Sequence, residues 1–151
     1  MKKMICSLIA IALILVLSSC NDRVVTSLGK CDKEEFYTCG VFQDFTDYGK
    51  YHYSEADPEN NKYLVKIGET DVDRINEYLS YFEGTVGSIK QDEPEQELAA
   101  NYDFDRALID TEDYFYILDK SEEGELSKFS NYNVYFFDSQ TKVLYYFHDN
   151  T

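Results

Sequence analysis

Apolar residues recur along this chain in two rhythms. Between Thr70 and Gly84, Val72, Ile75, Leu79 and Phe82 fall at helical spacing, Tyr78 flanks the stripe, and Asp73, Arg74, Glu77 and Ser80 face away. Thr70 to Asp73 offers caps and early acids, and Gly84 offers a stop. About twelve helical residues are marginal alone in water, so this helix is expected to pack on a sheet. Elsewhere the period is two. Tyr51 and Tyr53 alternate around His52, and Tyr63, Val65 and Ile67 share one side of Lys62 to Ile67. Tyr114 to Leu118 is a short run of strand formers. Tyr132 to Phe137 and Val143 to Phe147 flank the polar loop Asp138 to Lys142 and predict a hairpin. Glu55 to Asn61, broken by Pro58, and Ser121 to Ser130 read as connections. A short helix is expected from Pro94, with Glu95 and Glu97 in its first turn. The pattern predicts a small single α+β domain: an antiparallel sheet of four to five strands with one main helix packed on a face.

The hairpin sorts its rings. Tyr132, Val134 and Phe136 share one face of the first strand, and Asn133, Tyr135 and Phe137 share the other. On the partner strand Val143, Tyr145 and Phe147 alternate with Leu144, Tyr146 and His148. Neither face is polar, so either both are covered or one presents an aromatic surface. Tyr135, Tyr145, Tyr146 and His148 are the candidate binding surface, with His148 expected on an edge or terminal strand. Exposed tyrosine gives rigid contact area with a hydrogen-bonding tip. The plainer alternative is that tyrosine simply suits a half-buried strand.

The densest apolar run lies at the start. Lys2 and Lys3 lead into Ile5 to Leu17, broken only by Cys6 and Ser7, and the run ends at Leu17-Ser18-Ser19-Cys20. A charged start, an apolar stretch and small residues before a cleavage point make a secretory signal. Met4 to Leu17 is short for a membrane span, which needs about 20 apolar residues. A leucine and two small residues ahead of a cysteine resemble the lipobox of bacterial membrane lipoproteins. That resemblance implies cleavage after residue 19 and a diacylglyceryl group on the Cys20 thiol. The product is then fixed by lipid to the extracytoplasmic face of the cell membrane. Two acyl chains hold a protein stably where one does not. The expected organisation is a signal peptide over residues 1–19, lipidated Cys20 with a flexible tether to residue 30, and an acidic domain over residues 31–151. The segments Asp113 to Ile117 and Tyr132 to Asp138 are also similar to small lipoproteins of clostridia-like bacteria. That second likeness implies no activity.

Charge narrows the partners. Losing residues 1–19 removes two of the 14 basic residues and none of the 29 acidic ones, so the formal charge moves from −15 to −17. Such a field opposes nucleic acid and anionic lipid. An electrostatically steered partner is therefore cationic: a basic protein, a cationic peptide or a metal ion. Acidity also simply keeps a small extracellular domain dispersed. Fourteen tyrosines and ten phenylalanines argue for a folded core over disorder.

Little in the sequence points to catalysis. After Cys6 leaves with the signal and Cys20 takes lipid, Cys31 and Cys39 remain, an even pair expected to form a disulfide. Histidine is confined to His52 and His148, too few for a structural zinc site, and no metal or other cofactor is expected. Neither a nucleophile elbow nor a glycine-rich phosphate loop occurs. Asp71 and Asp73 fit helix capping, whereas Asp103 and Asp105 alternate with Tyr102 and Phe104 as solvent-facing strand residues would. The expectation is a non-enzymatic, membrane-anchored binding domain. The alternatives are an immunity-like protein that sequesters a cationic toxin or peptide, and, less well supported, an envelope hydrolase acting through a carboxylate pair.

Overall fold

The computed structural model describes residues 22–41, 44–121 and 129–150. Six antiparallel strands form one sheet: β1 (Lys33–Val41), β2 (Asp44–His52), β3 (Val65–Lys66), β4 (Tyr114–Asp119), β5 (Asn131–Asp138) and β6 (Val143–Asn150). They lie in the order β1-β2-β6-β5-β4-β3. Helices α1 (Arg23–Ser27), α2 (Glu69–Asp92) and α3 (Glu97–Asn101) and a 3-10 turn (Arg106–Leu108) complete the described elements. The class is α+β as the periodicities predict, with six strands where four to five were expected. The strand missing from that expectation is β1. Lys33, Glu34, Glu35 and Gly40 interrupt its apolar alternation, because a strand at a sheet edge carries charge without burying it.

One face of the sheet carries α2. Ile75, Tyr78, Leu79, Phe82 and Val86 pack on Tyr48, Phe115, Tyr132, Val134, Phe136 and Phe147, with Leu98 and Ala99 of α3 and Phe104 closing one side. The N-terminus of α2 is capped at Gly68, whose N–H donates to the Asp71 carboxylate at 2.9 Å. Gly84 does not stop the helix, which continues for eight more residues. A glycine in a helix costs about 1 kcal/mol. Burial of Val86 and packing of Ile89 offset that, and Gly84 and Gly87 sit where a side chain would touch nothing. Pro94 lies before α3 rather than in its first turn, although Glu97 does begin that helix.

The second face is covered by smaller pieces. The tether expected over residues 21–30 is largely absent, because α1 docks there. Asp22 caps α1 by accepting from the N–H groups of Val24 (2.8 Å) and Val25 (3.3 Å). Val24, Val25 and Leu28 then bury against Tyr51, Tyr135, Phe137 and Leu144. Tyr53 and Leu64, at the two ends of the polar loop, join the same cluster. The Tyr53 hydroxyl donates to the Val25 carbonyl at 3.0 Å. The strand expected over residues 62–67 shrinks to two residues and its inward side changes. Leu64 and Ile67 are buried while Val65 is 54% exposed, because Asn61 turns the chain by accepting from the N–H groups of Tyr63 and Leu64.

Candidate binding surface

Strand register places an aromatic row across the second face. Phe36 pairs with Gly49, Gly49 with Tyr146, Tyr146 with Tyr135, and Tyr135 with Tyr116. The ring centroids are 6.2 Å apart for Phe36–Tyr146, 5.0 Å for Tyr146–Tyr135 and 5.9 Å for Tyr135–Tyr116, and Tyr63 extends the row by another 5.9 Å. Gly49 is what lets Phe36 and Tyr146 meet. A Cβ there would lie 3.1 Å from the Tyr51 ring and 3.2 Å from the Phe36 ring. The middle of the row is sealed by α1, and the Tyr135 hydroxyl donates to the Asp22 carboxylate at 2.5 Å. At the β1 end no such piece intervenes among the described residues, and Phe36 remains 42% exposed.

A polar pair lies beside this row. Asp47 of β2 faces His148 of β6, with carboxylate Oδ2 to ring Nδ1 at 3.1 Å. Both are buried, and the His148 ring packs on Phe45 at 4.8 Å and stacks on Tyr146 at 6.3 Å. Burial pushes the Tyr146 and Tyr135 hydroxyls up, with the nearby Asp22 carboxylate adding to both, so they remain protonated donors.

The four residues proposed from the hairpin thus separate. Tyr135, Tyr146 and His148 share the second face, but Tyr135 is buried under α1 and only Tyr146 reaches the open end. Tyr145 points to the α2 face, against Phe104 at 4.8 Å and Phe136 at 6.0 Å. His148 is not on an edge, since β6 lies between β2 and β5. Sequence reasoning missed Phe36, Phe45 and Asp47. The signal present was the alternation of Phe36 and Thr38 with Tyr37 and Cys39, obscured by the charges that precede it.

A second cluster joins β1 and β2 at the margin of the α2 face. Glu35 bridges Lys33 at 3.0 Å, His52 at 2.8 Å and Lys50 at 3.6 Å. Lys50 also meets Asp103 at 2.8 Å, and Asp103 accepts from the Tyr48 hydroxyl at 2.8 Å. Hydrogen bonds from Lys33 and His52 hold the Glu35 carboxyl down at about 2. Burial opposes the charges of Asp103 and Lys50, but their mutual contact outweighs it, lowering the acid and raising the base. These groups are held as fixed ions and tie the 102–105 segment to the sheet. Asp103 and Asp105 are exposed as expected, but they lie in a loop and not in a strand. Asp105 instead caps the 3-10 turn through the Ala107 N–H.

Cys31 and Cys39 are not joined to each other, against the expected disulfide. Most of the chain between them is the extended strand β1. At about 3.3 Å per residue it keeps them far beyond the roughly 7 Å that a disulfide tolerates between Cα atoms. Burial, with Glu93 nearby, raises the Cys39 thiol. Among the described residues, no group of histidine, cysteine and carboxylate side chains is placed to hold a metal ion. Among the same residues, no helix is long and apolar enough to cross a membrane. The signal peptide and Cys20 lie outside the described residues. No family model, curated protein or solved structure matches this chain.

Proposed function

We propose that this chain is a lipid-anchored, extracytoplasmic, non-catalytic protein that captures a cationic partner at the cell membrane. The observation that carries the binding role is the incompletely covered aromatic row, where Phe36 lies open at the β1 end of the second face. Aromatic faces attract lysine and arginine head groups, by about 0.5–1 kcal/mol at exposed sites. The formal charge of −17 expected for the processed chain would steer such a partner and disfavour nucleic acid. A cationic toxin or host-defence-like peptide meets these demands. The anchor rests on the leader sequence and on Cys20.

Two measurements test the reading. Cys20→Ala should abolish incorporation of labelled fatty acid and release the protein from membranes, and unchanged membrane retention would refute the anchor. Binding of a lysine- and arginine-rich peptide to the full-length chain should fall steeply from low to high ionic strength. It should also weaken in Phe36→Ser. Binding insensitive to both changes would refute the surface.

A further inference from the structure

The strand that carries Phe36 ends the sheet, with α3 packed beside it on the α2 face. β1 has nine residues and pairs only with β2. Among the described residues, no backbone–backbone hydrogen bond reaches β1 from any other element. Edge strands are usually blunted by shortness, proline, charge or a covering element. The opposite edge follows that rule, since β3 has two residues. In β1 the charges stop at Glu35. From Phe36 to Gly40 the strand is uncharged and contains no proline, and Phe36, Thr38 and Gly40 are exposed. Beside it runs an open cleft of about 690 Å³, lined by Thr38 and by Glu93, Pro94, Glu95, Gln96 and Glu97 between α2 and α3. The three glutamates are exposed.

We propose that the outer edge of β1 accepts an extended basic peptide as a seventh strand. Its backbone pairs along Phe36 to Gly40, and its lysine or arginine side chains reach Glu93, Glu95 and Glu97. This inference rests on the cationic-partner reading and gives it a geometry. Strand addition draws affinity from main-chain hydrogen bonds and specificity from alternate side chains. Residues two apart in the added strand share a face. One set therefore extends the aromatic row beside Phe36, and the other projects to the opposite side of the sheet. Charge selects the occupant. A basic strand is attracted to this edge, whereas a second copy of the chain brings a formal charge of −17 against −17 if both are processed.

The test uses the full-length chain and two synthetic peptides of alternating lysine and threonine. One has an ordinary backbone; the other is N-methylated at every second residue, which keeps the charge and removes the pairing donors. The ordinary peptide should bind and slow amide exchange at Phe36 to Gly40, and N-methylation should weaken it at least about tenfold, the effect of losing one to two net hydrogen bonds. Glu93→Gln/Glu95→Gln/Glu97→Gln, all at exposed positions, should weaken the ordinary peptide about tenfold at low salt. Equal, salt-sensitive binding of both peptides would overturn strand addition and leave the cationic-partner reading standing. Absence of salt-sensitive binding by either would overturn both. Protection of the β1 amides in the peptide-free protein together with a doubled mass would give the edge to a second copy and overturn the proposal.

Discussion

On one face of the sheet a single 24-residue helix lays Ile75, Leu79, Phe82 and Val86 along the strands, each almost wholly buried. On the other, a five-residue helix and the flanks of a polar loop supply Val24, Val25, Leu28, Tyr53 and Leu64, and among the described residues the cover ends before β1. The first face is covered mainly by one periodic element, with α3 and Phe104 closing one side. The second is assembled from short segments that are marginal alone, each held in place by side-chain hydrogen bonds such as Asp22 to Tyr135 and Tyr53 to Val25. The gap left there is where aromatic surface meets solvent. Stability is thus concentrated on one side of the sheet, and the proposed binding surface lies on the other.

Breaking the better-covered face should have the largest effect. Phe82→Ala should lower the unfolding free energy by about 3–5 kcal/mol, measured by chemical denaturation, because a fully buried ring leaves a cavity that the helix and sheet cannot close. On the second face Leu28→Ala should cost about 2–4 kcal/mol. It should also increase amide exchange in residues 22–28 more than in α2. A loss near zero at Leu28 would show that α1 contributes nothing to the fold.

Acid should act on the margin between the faces. The Glu35 carboxyl lies at about 2 when folded, against 4.5 ordinarily. A depressed carboxylate stabilises the fold fully above its unfolded value, and that stabilisation is lost as pH falls from about 4.5 towards 2. Glu35→Gln should therefore flatten the pH dependence of stability in that window. The difference should be about 1 kcal/mol, since Lys33 is exposed and screened by water. The smallest stability effect is expected at Phe36. Phe36→Ser should change the unfolding free energy by no more than about 0.5 kcal/mol, as at other exposed positions, while weakening the cationic peptide. A large destabilisation would mean that Phe36 belongs to the core and not to a binding surface.

The same contrast explains what was legible in the sequence. The helical stripe from Val72 to Phe82 and the hairpin strands appear with their correct faces, because a repeated period records which side is buried. α1 could not be read that way. Five residues are little more than one turn, and Val24, Val25 and Leu28 become apolar anchors only once Tyr135 and Phe137 lie beneath them. Gly84 misled because local propensity was outweighed by packing further along the same helix. β1 was hidden by Lys33, Glu34 and Glu35, of which Glu35 finds its partners Lys50 and His52 on the neighbouring strand. Of the four site residues expected, alternation put Tyr146 and His148 on one side of their strand, but the expected surface also took in Tyr145, which lies on the other face. Alternation could not show that β6 lies inside the sheet, which depends on β2 pairing across a long stretch of chain.

The docking of α1 also sets a distance. Asp22 is fastened to Tyr135 near the middle of the sheet, and Cys20 is only two residues away in sequence. Two residues of chain reach at most about 7 Å. A lipid on that sulfur would therefore hold the domain directly against the headgroups, with no leash on which to swing. Under the proposed function, a partner would then be met at the bilayer surface rather than out in the surrounding fluid.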